Sequence, residues 1–180
     1  RIYHFLDKSI KRSFGKKVAS YAIKHNVDAV ICYDTNAREC FEILKEKAPN
    51  IKRILDNAHP ARNYLYHVYN KHNESSKEFI KTYESCNYLI DKGESEKYAK
   101  EIKLADFHIV ASSFSVDALL FNKVKKDSIF KVPYGVDFNT FKRQKRKDIK
   151  KDEINVLFIG EINQRKGINE ILEASKMLQD

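Results

Sequence analysis

The sequence predicts an α/β protein built on a doubly wound parallel sheet, with helices packed on both faces of the sheet. Short apolar runs alternate along the chain with longer segments in which apolar residues recur at helical spacing. One run, residues 29–33, is apolar without interruption, as expected of a strand that is buried on both faces. Alternation of this kind favours parallel crossovers, because parallel neighbours need a long connection between them.

The boundaries of the elements follow from the same patterns. Asp7 is expected to cap the first helix, which should bury the face that carries Ile10, Phe14, Val18 and Tyr21/Ala22. Residues 34–36 are polar and are expected to cap the second helix. Strands are predicted at residues 28–33, 51–55, 108–111 and 130–132, and a further strand at 154–159.

The three cysteines do not indicate a disulfide or a metal site. Cys32, Cys40 and Cys86 are odd in number and lack the spacing of metal ligands. Two of the three fall at apolar periodic positions. We therefore expect buried free thiols in a reducing compartment.

The net charge of +9 favours anionic partners such as nucleotide diphosphates, acidic lipid headgroups or nucleic acid. Residues 142–151 form the densest basic run, and they lack the aromatic side chains on which single-strand binders stack bases. We interpret residues 138–153 as a solvated, charged linker. The alternative is a contact with an anionic membrane surface or with nucleic acid.

A cleft is predicted at one edge of the sheet. Ligands of open parallel sheets bind beyond the carboxyl ends of the strands, and polar or glycine residues follow each predicted strand. At Thr35 and Ser113, plain helix capping is the alternative interpretation. The predicted cleft rim comprises Asp34, Asn57, Ser112, Ser113, Tyr134 and Gly135.

His59 is the candidate catalytic residue of this cleft. It follows the end of the second predicted strand. An imidazole that titrates near neutrality can accept or position the proton of an acceptor hydroxyl. The alternative is a histidine at a helix entry that is bonded to backbone.

A second site is predicted towards the end of the sequence. An apolar run ends at Gly160, and Arg165, Lys166 and Gly167 precede a segment with helical periodicity. Backbone N–H groups at a helix start, with cationic side chains beside them, form an anion-binding site.

These motifs resemble the family-4 retaining glycosyltransferases of the GT-B fold. The resemblance covers roughly residues 104–178, and upstream only the pattern is similar. It rests on Ala105-Asp106 followed by an apolar strand and Ser112-Ser113, on Pro133-Tyr134-Gly135-Val136-Asp137, and on Gly160 with Arg165-Lys166-Gly167.

The resemblance implies transfer of a sugar from a nucleotide diphosphate sugar to a glycan or lipid-linked hydroxyl acceptor, with no metal or other cofactor. Residues 1–137 would be a Rossmann-like acceptor-side domain, incomplete at its N-terminus, and residues 154–180 the truncated start of the donor-binding domain. The implied location is the cytoplasm, including its membrane surface as a peripheral site, and this portion alone is expected to be inactive. Four residues would bind the donor phosphates: Gly160, Arg165, Lys166 and Gly167.

One residue departs from the resemblance, and one other class of function stays open. Glu161 stands where the family often has arginine, and a carboxylate there repels a diphosphate unless it points away. The alternative function is a basic α/β module that binds nucleic acid or an acidic partner without catalysis, although no nucleic-acid motif supports it. A nicotinamide-cofactor enzyme is disfavoured, because no Gly-x-Gly-x-x-Gly follows a strand.

Overall fold

The computed structural model describes residues 2–75, 92–143, 155–162 and 166–178, and it confirms the predicted α/β class. The predicted residues Cys86 and Arg165 and most of the basic run lie outside the described residues. The elements are α1 (Ile2–Lys24), β1 (Ala29–Tyr33), α2 (Arg38–Lys47), β2 (Lys52–Asn57), α3 (Arg62–Ser75), α4 (Lys92–Leu104), β3 (Phe107–Val110), α5 (Ser113–Phe121), a 3-10 turn (Lys126–Ser128), β4 (Ile129–Lys131) and α6 (Ile168–Met177).

The four strands form one sheet in which every neighbouring pair is parallel and the spatial order is β1-β2-β3-β4. All four lie close to their predicted positions. Parallel crossovers are right-handed, so successive steps in one direction place their helices on the same face of the sheet. Helices reach the second face only where the strand order reverses, and the order of the described strands does not reverse. Helices on the second face therefore stay a prediction.

The core lies between the sheet and its helices. Alternate residues of the central strands, including Leu55 and Val110, are fully buried there against Phe41 and Leu44 of α2 and Leu119 of α5. The side chains of a strand point alternately to its two faces. In β2 and β3, the buried residues therefore identify the face on which the helices pack.

The opposite face of the sheet is largely exposed. Ile31 and Tyr33 of β1 are 62% and 66% exposed, and Phe130 of β4 is half-exposed. The prediction that β1 is buried on both faces is therefore wrong for this structure. Phe107 and Phe130 meet edge to face on this side of the sheet, with their ring centroids 5.9 Å apart.

Helix α1 packs mainly through small residues, and the predicted face is only partly correct: Val18 and Ala22 do pack against the core. Ile10 and Phe14 are exposed, whereas Gly15, Ala19 and Ala22 are buried. A Cβ atom added to Gly15 would lie 3.0 Å from Cβ of Glu39 in α2. The two helices approach so closely that only small side chains fit between them.

The C-terminal segment is partly as predicted. Helix α6 forms where the sequence indicates it, but residues 155–159 belong to no strand of the sheet, so the strand predicted there is not present. The apolar side chains of this run, such as Leu157 and Ile159, are highly exposed. Among the described residues, no helix has the length and apolar character needed to cross a membrane.

Candidate functional site

Asp34 and His59 meet at the carboxyl edge of the sheet. Asp34 directly follows β1 and is anchored by its N–H, which donates to the carbonyl oxygen of Asp56 over 2.9 Å. Its Oδ2 accepts the backbone N–H of His59 over 3.2 Å and lies 3.4 Å from Nδ1 of the same imidazole. Because parallel strands end side by side, the residues after β1 and β2 are brought together as the sequence indicates.

The pair combines a sheltered carboxyl group with an accessible ring. Burial raises the pKa of Asp34, and the nearby His59 and Arg62 act in the opposite direction. The His59 side chain is 62% exposed. The contact with Asp34 uses Nδ1, so Nε2 is the ring nitrogen that can meet a ligand.

Arg62, at the start of α3, adds a cation beside this pair. Its guanidinium lies over the ring of Tyr98, 3.9 Å from the ring centroid. A guanidinium stacked on an aromatic face is held in one orientation and keeps its N–H donors at its edge. The carboxyl edge therefore contains a carboxylate, an imidazole and a guanidinium.

Glu101 of α4 shapes the loop that carries Asp34. The carboxylate accepts the backbone N–H groups of Thr35 and Ala37 over 2.7 Å each, and that of Arg38 over 3.1 Å. Burial raises the pKa of Glu101, and these three hydrogen bonds act against that rise. The expected capping of α2 by residues 34–36 is wrong: the N-cap residue is Ala37, which has no side-chain oxygen, and Glu101 supplies the acceptor.

Asn57, a predicted rim residue, turns into the core instead. Its amide nitrogen donates to the carbonyl oxygens of Leu55 and Ile109 and lies 3.4 Å from Nδ1 of His108. His108 is almost completely buried, and burial lowers its pKa to about 4. These contacts make Asn57 part of the internal packing between β2 and β3.

The two predicted serines have different surroundings. Ser112 is the N-cap of α5, because its Oγ accepts the N–H of Ser115 over 3.1 Å. Ser113 is exposed, and its Oγ accepts a hydrogen bond from Nζ of Lys131 over 3.1 Å. Capping therefore accounts for Ser112, whereas Ser113 and Lys131 place a hydroxyl and a cation at the ends of β3 and β4.

Tyr134 and Gly135 lie in the exposed segment that follows β4. This segment ends in a turn in which the carboxylate of Asp137 accepts the N–H of Asn139 and the hydroxyl of Thr140, both over 2.8 Å. The same two residues lower the pKa of Asp137, the Thr140 hydroxyl most strongly. The Tyr-Gly-Val-Asp part of the string is thus exposed chain that leads into a turn, and the Asp137 carboxylate holds that turn.

The structure describes the two ends of the predicted phosphate loop, residues 160–162 and 166–167. A Cβ atom added to Gly160 would lie 3.8 Å from Cδ of Lys166, so the stem of this exposed lysine lies over the glycine. Gly167 is the N-cap of α6 and has φ +69°, a conformation that favours glycine. The Lys166 ammonium and the first N–H groups of α6 therefore belong to the same helix start.

Sequence reasoning did not identify Arg62, Tyr98, Glu101 or Lys131. The sequence offers no signal for Glu101, because the polar residues 34–36 were themselves expected to cap α2. Comparison of the chain with protein-family models, with curated proteins and with solved structures finds no match.

Proposed function

We propose that the chain is part of a retaining, metal-independent glycosyltransferase of the GT-B type, whose first domain is a doubly wound, Rossmann-like unit. The observation that carries the proposal is the Asp34–His59 pair at the carboxyl edge of an all-parallel sheet. In this role, Asp34 fixes the imidazole through Nδ1, and Nε2 orients the acceptor hydroxyl.

The donor would be a nucleotide diphosphate sugar. Charge develops on the departing diphosphate during transfer, and fixed cations and helix N–H groups stabilise it. Lys166, which lies over Gly160 at the start of α6, is suited to this role. The acceptor side, with a carboxylate, an imidazole and a guanidinium, is suited to a polyhydroxyl compound such as a glycan.

The test is whether nucleoside diphosphates bind to the chain. NMR titration with UDP, GDP and ADP measures this binding. Removal of a charge-assisted contact costs about 1.5 to 3 kcal/mol, so Lys166→Ala should weaken binding roughly tenfold or more. Lys176→Ala is the matched control, since Lys176 lies in the last turn of the same helix. Its affinity should equal that of the parent.

Two results contradict the proposal. One is that the parent binds no nucleoside diphosphate, or binds it with the same affinity as Lys166→Ala. The other is tight, sequence-selective binding of an oligonucleotide that persists at high salt, without any effect of nucleoside diphosphates. That second outcome favours the basic nucleic-acid module, because non-specific phosphate contacts weaken steeply with salt.

A further inference from the structure

The loop between β1 and α2 requires hydrogen-bond acceptors that its own residues do not supply. The first N–H groups of a helix have no partner within it, and the alanine at the N-cap of α2 has no side-chain oxygen. Thr35 adds a left-handed conformation, with φ +73°, which is uncommon for a β-branched residue. This conformation persists only if contacts from elsewhere in the fold hold it.

Glu101 supplies those contacts from a distant part of the sequence. Its Oε1 accepts the N–H groups of Ala37 and Arg38, and its Oε2 accepts the N–H of Thr35. The residue is only 3% exposed. Burial of a carboxylate is unfavourable unless hydrogen bonds satisfy it, and here three backbone donors and a helix N-terminus do so.

Helix α4 also contacts the other side of the Asp34–His59 pair. Tyr98 precedes Glu101 by one turn of α4, so both side chains lie on the same face of the helix. Its ring holds the guanidinium of Arg62, which is close enough to Asp34 to affect that carboxyl group. One face of α4 therefore holds both the loop after β1, which carries Asp34, and the start of α3, which follows His59.

We infer that Glu101 is a positioning residue of the proposed site: its carboxylate fixes the loop after β1 and thereby holds Asp34 against the imidazole of His59. The inference rests on the proposed function only in assigning a role in sugar transfer to the Asp34–His59 pair. The positioning itself is a property of the folded chain and can be measured without substrate.

The measurement is the tautomer of the His59 ring, obtained from long-range proton–nitrogen NMR spectra of the whole chain at a pH where the ring is neutral. When Nδ1 of a neutral imidazole faces a carboxylate oxygen, the ring proton is on Nδ1, which donates a hydrogen bond to that oxygen. The parent should therefore show a protonated Nδ1 and an unprotonated Nε2. Asp34→Asn, which removes the charge of the partner, should shift the ring towards the Nε2-protonated form.

Glu101→Gln should produce the same shift as Asp34→Asn, although Glu101 itself does not touch the ring. The glutamine amide replaces an acceptor oxygen with a donor group that faces a backbone N–H, so the loop must move. Glu101→Asp keeps the charge with a shorter reach and should give a mixture of the two tautomers. The aspartate variant also serves as the test if the glutamine variant does not fold.

Leu119→Ala is the control for loss of stability alone. Leu119 is buried in α5, and its truncation should lower the melting temperature while the His59 spectrum stays that of the parent. If whichever Glu101 variant folds has a lower melting temperature but an unchanged His59 tautomer, Glu101 is merely a helix cap and the inference is overturned. A changed tautomer without nucleoside diphosphate binding by the parent supports the positioning role and contradicts the proposed function instead.

Discussion

His108 should make the protein sensitive to acid, by an amount that the structure defines. The side chain is buried in β3, and burial lowers its pKa from 6.5 to about 4. Between these two values the unfolded chain binds a proton that the folded chain rejects, so stability is lost as the pH falls. A difference of about 2.5 in pKa, at about 1.36 kcal/mol for each pH unit, corresponds to roughly 3 kcal/mol.

Replacement of the imidazole by an amide isolates this contribution. In His108→Gln the group no longer titrates, and the amide can still meet the side chain of Asn57. Between pH 7 and pH 4.5, the parent should lose about 2 kcal/mol more unfolding free energy than the variant. Burial raises the pKa of Asp34 and Glu101, which act in the opposite direction as the pH falls, but the comparison at each pH cancels their contribution.

Urea unfolding curves, recorded at several pH values in this range, measure the difference. Val110→Ala is the control, because it truncates a buried neighbour in β3 that does not titrate. Its unfolding free energy should be lower than that of the parent by a constant amount at every pH. If the free-energy difference between the parent and His108→Gln is the same at pH 7 and pH 4.5, the ring is not excluded from protonation and the reasoning fails.

Two further predictions concern packing and capping. Gly15→Ala should lower the melting temperature, because the new Cβ atom would lie 3.0 Å from Cβ of Glu39 and α1 and α2 must move apart. This overpacking costs about 1 to 3 kcal/mol of stability, whereas the gain in helix propensity is about 1 kcal/mol. A higher melting temperature in this variant would refute the close approach. Ser112→Ala should cost about 1 kcal/mol, since the N–H of Ser115 loses its cap, whereas Ser113→Ala should stay within about 0.5 kcal/mol of the parent. Chemical denaturation compares the two serine variants, and equal losses would contradict the assignment of the cap.

The four strands of the sheet were predictable from the sequence because each contains consecutive apolar residues between segments with helical periodicity, although the apolar run at residues 155–159 formed no strand. The pairing of Asp34 with His59 was predictable in outline, since neighbouring parallel strands end at one edge of the sheet. The exposure of Tyr33 was not, because an apolar run does not reveal whether both faces of its sheet are covered. Nor was the role of Glu101, whose hydrogen bond to Ala37 joins residues 64 positions apart.

The order of the strands also affects how the chain can assemble during synthesis. Each strand pairs with the next one to emerge, so β1 and β2 can associate before β3 exists. The pairing of β2 with β3 spans 53 positions, from Ile54 to Phe107, whereas that of β3 with β4 spans 21, from His108 to Ile129. Closure of the longer loop costs about 0.8 kcal/mol more in chain entropy. The nascent chain therefore meets its largest loop-closure cost at the middle of the sheet, and the addition of β4 closes a shorter loop.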